Sequence, residues 1–179
     1  PDEIKEKTTE MLAQIDYIGV REEASVDLIQ SMLKKQVMVN VDPVMLVDRD
    51  FWHRYECHVT FDDYILVYCV RNSPYIMQDA YRLAKKYNKK ILHFGDPGIR
   101  AIFPDVEVHS LSFCGPFEFI SYISKADIVL TDSFHATCFS IIFGRSFFTY
   151  LSETRSERLR TLASIGNFSN RLIDAGNTL

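Results

Sequence analysis

No run of Lys or Arg exceeds two residues, and the net charge is −4. The electrostatic footprint of a nucleic-acid binder or of an anionic-membrane binder is therefore missing, and neither partner is expected. Apolar runs fall well short of the ~20 residues that a membrane-spanning helix requires. No basic segment followed by an apolar run and a small-residue cleavage site opens the chain, so the cytoplasm is the expected compartment. Cys57, Cys69, Cys114 and Cys138 never approach CxxC spacing, and three sit in apolar surroundings, as reduced core cysteines do. His53, His58, His93 and His109 show no ligand spacing. No disulfide, metal or cofactor is expected. Low-complexity segments and fixed-period repeats are absent as well.

What is present suits one globular domain over residues 1–179, with 47% hydrophobic and 25% charged residues. Short β-rich runs alternate with amphipathic segments. Strands are expected over 15–20, 36–41, 64–70, 89–95, 127–132 and 146–151. Helices are expected over 21–35, 48–55, 73–88, 115–126, 134–144 and 154–166, with Ser73 and Pro74 opening the third, and Gly144 and Gly166 closing the last two. The strands are continuous apolar runs, the pattern of strands covered on both faces. The βαβα order then predicts an α/β fold with a doubly wound parallel sheet, Rossmann-like. Residues 96–114 are the least regular stretch and read as a long loop. The chain starts at Pro1 and enters a helix-like pattern at once, as a fragment of a longer protein would.

In an open parallel sheet, ligands bind outside the carboxyl ends of the strands, and the strand "DIVLTD" runs straight into Ser133-Phe134-His135. Ser133 is a natural N-cap. Phe134 and His135 then become the first residues of a helix whose unsatisfied N–H groups and positive dipole end attract an anion. A histidine there can serve as a general acid near neutral pH; the alternative is a polar residue that merely tops a helix.

The segment "ADIVLTDSFHATCFSIIFGRSFF" resembles the signature of the polysaccharide pyruvyl transferase family. "IGVREEAS", "VDPVML" with the following Trp52, "YILVYCV", "GPFEFISYISKAD" and "SERLRTLASIGNFSNRLI" resemble further family landmarks in the right order. Ala136 stands where the family usually has Gly, and Ser146 where Pro is usual. The resemblance implies the C-terminal half of a two-domain, glycosyltransferase-type fold, with the N-terminal domain missing. It also implies transfer of pyruvyl from phosphoenolpyruvate to two hydroxyls of a saccharide acceptor as a cyclic ketal. The signature His135 and a distant Arg, matched by Arg21, would engage the donor.

That donor carries a carboxylate and a phosphate, which a planar Arg fork and helix N–H groups suit. Protonation of its methylene carbon needs a positioned acid, for which His135 is the candidate. Arg21 follows a strand as His135 does, so both are expected on one sheet edge. Ser133 and Phe134 are further donor-binding candidates, as is Arg158, for which a solvated helix face is the plainer reading. Asp132 would either orient His135 or fix the junction backbone. Arg155 and Arg171 are weaker candidates, and Trp52 reads as helix packing. Two alternatives stand beside the transferase. One is a nucleotide-sugar glycosyltransferase or epimerase domain, disfavoured because residues 133–144 contain no Asp or Glu; the other is a non-catalytic Rossmann-like binding module.

Overall fold

Tyr64, Ile65, Leu66 and Val67 are four consecutive residues with no exposed surface. A strand can bury every residue only if both its faces are covered. In the computed structural model, which describes residues 2–71, 74–95, 103, 105–153 and 156–179, Tyr64 and Leu66 enter one hydrophobic core while Ile65 and Val67 enter another on the opposite face.

Along the chain the elements are α1 (Asp2–Ala13), β1 (Ile18–Val20), α2 (Glu23–Met32), β2 (Val37–Val39) and α3 (Arg49–His53). Next come β3 (Tyr64–Tyr68), α4 (Pro74–Tyr87), β4 (Lys90–Phe94), β5 (Val108–Leu111), α5 (Pro116–Lys125), β6 (Ile128–Thr131) and α6 (Phe134–Ile142). The chain ends with β7 (Ser146–Tyr150), α7 (Glu157–Gly166) and β8 (Leu172–Ile173). Six strands form one parallel sheet in the order β5-β4-β3-β6-β7-β8. Counted from β3, this is the 3-2-1-4-5-6 order of the Rossmann fold, so the expected doubly wound sheet is present with β6 at its centre. Helices α5, α6 and α7 contribute to one core and α4 to the other. In α4 the buried apolar residues are Ile76, Met77, Ala80 and Ala84, one face of a 3.6-residue period, with the buried Asp79 beside them and Lys85 and Lys86 in its last turn. Ser73, its expected cap, lies outside the described residues.

Three expectations are corrected. β1 and β2 do not join the large sheet; they pair with each other in a separate two-stranded parallel sheet. There Gly19 allows a close approach, since a Cβ would lie 2.1 Å from the Asn40 amide. The expected loop over 96–114 contains the edge strand β5, held by parallel pairing to β4. Finally, the left-handed residue ending α7 is Asn167, with φ of 54°. Gly166 serves packing instead, because a Cβ there would lie 2.8 Å from the Phe168 ring.

Candidate functional site

Reversal of strand order between β3 and β6 opens a crevice at their carboxyl ends, and hydrogen bonds within and between the segments after these two strands fix its floor. The buried Thr131 hydroxyl donates to the Tyr68 carbonyl at 2.6 Å and accepts from the Ser133 N–H at 3.0 Å. Ser133 caps α6, accepting from the Ala136 N–H at 3.4 Å, and the Thr137 hydroxyl donates back to the Ser133 carbonyl at 2.9 Å. Asp132 accepts from the backbone N–H groups of Val70 at 2.6 Å and Arg71 at 3.1 Å. Its described contacts thus tie the loop after β6 to the loop after β3, and none reaches His135.

His135 is half exposed, and its Nε2 lies 3.8 Å from Oδ2 of Asp42, an ion-pair rather than a hydrogen-bond separation. Arg21 Nη1 donates to the same carboxylate oxygen. Arg21 and His135 therefore meet across two sheets, not along one edge. The meeting point is Asp42, which as an Asp before Pro43 carries only a turn signal in the sequence. Its side chain is 3% exposed and caps the 3-10 turn Pro43–Met45, accepting from the Val44 N–H at 3.1 Å. Burial pushes the Asp42 carboxyl up, but the hydrogen bonds from Val44 and Arg21 and the charges of His135 and Arg21 outweigh it, so it sits below the usual range. The Trp52 indole N–H donates to the Val44 carbonyl at 3.1 Å while its ring packs edge-on against Phe139 at 5.0 Å. The packing read for Trp52 thus also pins the turn that carries Asp42.

Arg158 closes the other side. Its guanidinium lies 5.1 Å from the Phe134 ring centroid, and its Nε is 3.3 Å from Glu22 Oε1. A cation at this spot with a second carboxylate beside it was not readable from the helical spacing, which showed only a solvated face. Two guanidinium groups, an imidazole and the N-terminus of α6 are thus gathered around one buried and one part-buried carboxylate. Asp42 and Glu22 balance the two guanidinium charges, and Arg21, Arg158 and His135 keep exposed surface through which a small anion can be met beside the N-terminus of α6.

The sequence profile of the polysaccharide pyruvyl transferases matches residues 1–153 of the 179-residue chain. The chain belongs to the polysaccharide pyruvyl transferase family. No curated protein matches it. Among solved structures it resembles the UDP-GlcNAc 2-epimerase of Neisseria meningitidis bound to UDP-GlcNAc, with TM-score 0.56 and 18% identity over 83% of this chain and 46% of that one. A putative UDP-N-acetylglucosamine 2-epimerase of Listeria monocytogenes is similar, with TM-score 0.57 and 11% identity over 88% of this chain and 46% of that one. So is the Methanocaldococcus jannaschii UDP-GlcNAc 2-epimerase in complex with UDP-GlcNAc and UDP, with TM-score 0.52 and 16% identity over 91% of this chain and 51% of that one. At such identities the likeness is one of fold. The chain spans about half the length of these structures.

In this member of the pyruvyl transferase family, the remaining sequence candidates fall elsewhere or outside view. Arg171 lies over the Phe147 ring at 4.9 Å, a packing contact beyond the profile match. Arg160, two residues after Arg158 on α7, pairs instead with Asp174 at 3.0 Å on the surface. Arg155 lies outside the described residues. The family landmark "VDPVML" contains Asp42, and "IGVREEAS" contains both Arg21 and Glu22. The two stretches thus meet at His135 and Arg158. Among the described residues, no helix is long and apolar enough to cross a membrane.

Proposed function

We propose that this chain is the donor-binding half of a pyruvyl transferase that moves the pyruvyl unit of phosphoenolpyruvate onto two hydroxyls of a saccharide. The observation that carries the reading is the convergence of Arg21, His135 and Arg158 beside the N-terminus of α6. Arg21 and Arg158, with the free N–H groups after Ser133, hold the donor's phosphate and carboxylate. Phe134 supports the Arg158 guanidinium. His135 gives its proton to the methylene carbon, forming the methyl group and leaving an oxocarbenium-like centre at C2. One sugar hydroxyl adds there, returning a proton to the imidazole. The second hydroxyl displaces phosphate, so donor and diol become ketal plus inorganic phosphate. Asp42 positions Arg21 and His135, and Asp132 sets the crevice backbone.

The half-length coverage supports a second half that faces this one across a cleft and holds the reacting end of the acceptor, without which these residues do not turn over. So do the apolar side chains left exposed around β1, α2 and β2, including Tyr17, Leu28 and Met38. The nucleotide-sugar alternative draws its support from the fold likeness to epimerases bound to UDP-GlcNAc.

Trp52 is the single tryptophan and sits against the turn that carries Asp42. Phosphoenolpyruvate titrated into the chain should change its fluorescence saturably, the response should weaken in Arg21→Ala, and UDP-GlcNAc should give none. In the full-length enzyme His135→Ala should lower turnover by about 10²–10⁴. A response to UDP-GlcNAc and none to phosphoenolpyruvate would transfer the assignment to the nucleotide-sugar reading.

A further inference from the structure

A second concavity opens on the same carboxyl edge and the same sheet face as the His135 site. It has a volume of about 620 Å³ and lies over β3, β4 and β5, walled by Tyr68, Phe94, Phe119 and Phe113, with Ser112 and Cys114 at its side. This is within the size range of small-ligand sites. Tyr68 packs edge-on against Phe94 at 5.5 Å and Phe119 at 5.2 Å, so three walls are fixed by one another. The Tyr68 hydroxyl has no hydrogen-bond partner among the described residues, leaving a donor and an acceptor for a ligand.

Phe113 is different. Its ring is fully exposed, and its backbone φ of 64° lies in the left-handed region, which a bulky aromatic rarely adopts. An exposed ring and a strained backbone are two separate costs at one residue, and such costs collect at ligand clamps.

No charged side chain lines the cavity among the described residues. Burial, then Glu118 and Cys57, push the Cys114 thiol up, which keeps that wall neutral too. A phosphate or carboxylate ligand is therefore unsuited, whereas aromatic walls with a few hydroxyl-scale polar groups suit a neutral sugar. The C–H face of a hexose presents weakly positive hydrogens to the negative face of an aromatic ring. Tyr68 is the register partner of Thr131. Strands stand about 4.8 Å apart, which places the cavity roughly 10–15 Å from the β6–α6 junction, the span of one or two sugar residues.

We propose that this cavity is a saccharide subsite, taking a neutral sugar of the acceptor beyond the one that receives pyruvyl, with Phe113 stacked on its C–H face. The saccharide rests on the transferase reading; the site rests on its own walls. Binding there holds the acceptor at a distance from the chemistry, so its energy is available to orient the reacting diol.

Saturation-transfer NMR on this chain with maltose, lactose and cellobiose tests it. Transfer is expected for at least one disaccharide, weakened about three- to tenfold in Phe113→Gly, the range of one aromatic contact, and retained in Phe113→Tyr. Because glycine suits the left-handed backbone, Phe113→Gly should melt no lower than the parent, which separates lost binding from lost folding. No transfer from any of the three, or transfer unchanged in Phe113→Gly, overturns the subsite. Displacement by uridine monophosphate at this cavity overturns it in favour of a nucleotide. Phosphoenolpyruvate is measured alongside: its failure to bind while the sugar effect of Phe113 persists defeats the transferase reading and leaves the subsite standing.

Discussion

Replacing Asp42 by Asn removes one negative charge and almost no volume from the point where Arg21 and His135 meet. The amide oxygen can still accept from the Val44 N–H, so the 3-10 turn keeps its cap. What is lost is the charge-assisted bond to Arg21 and the attraction to His135 at 3.8 Å. A hydrogen bond to a charged group contributes about 1.5–3 kcal/mol. Arg21 is 44% exposed and can turn to water, which discounts that range to about 1–2 kcal/mol. For a chain of this size that is a fall of about 2–8 °C in Tm.

The pH dependence follows the same carboxyl. Its folded pKa lies below the unfolded value of about 3.9, so its stabilisation is present above that pH and is lost as pH falls through the folded value. Acid titration of the parent should show this loss in a thermal melt, with a parallel change in Trp52 fluorescence below about pH 4, and Asp42→Asn should show neither. Two effects on donor binding oppose each other: Arg21 loses its anchor, but a negative charge near the anion site is gone. The catalytic loss should therefore fall on kcat of the full-length enzyme, about 10-fold or more, with KM changed less. An Asp42→Asn protein that melts with the parent, keeps its acid transition and turns over normally would refute the positioning role.

Two further outcomes are expected. His93 is buried on β4 with its Nδ1 unpartnered, and burial pushes its pKa below the usual 6.5 or so. The unfolded state therefore binds the proton first, and stability should fall as pH drops below about 6.5 toward the folded value. His93→Leu should flatten that slope in melts between pH 5 and 7, and an unchanged slope would place it elsewhere. Asp132→Ala should free the Val70 and Arg71 amides, speeding their hydrogen exchange at a cost of about 1–2 kcal/mol, because both are exposed enough for water to replace the carboxylate. Exchange that stays slow at both amides would show that Asp132 does not hold the crevice.

Local rules were enough for much of this protein. Continuous apolar runs at 64–68 and 128–131 dictate strands covered on both faces, because a strand with one wet face must alternate. Ser133 after such a strand dictates a capped helix, and the handedness of βαβ units then carries His135 to the ligand edge. None of this needs knowledge of a distant partner. The strand β5 reads differently: "VHSL" is short and half polar because an edge strand is held by backbone pairing to one neighbour, which side-chain pattern barely records. The apolar runs of β1 and β2 look like any other strand of the large sheet, yet they pair only with each other, since hydrophobicity specifies burial and not the identity of the neighbour.

Asp42 is the sharpest case. Before Pro43 it reads as a turn residue, and the turn is there. Tertiary packing alone decided that this carboxylate would lie 3% exposed between an arginine after β1 and a histidine at the start of α6. Arg158 likewise became a partner of Phe134 and Glu22 only when α7 packed beside α2. Periodicity and caps are properties of a few neighbouring residues, fixed by backbone sterics and side-chain shape. The electrostatics of a site arise from charges that the chain brings together across long separations, and their strength depends on how much water the packing leaves between them.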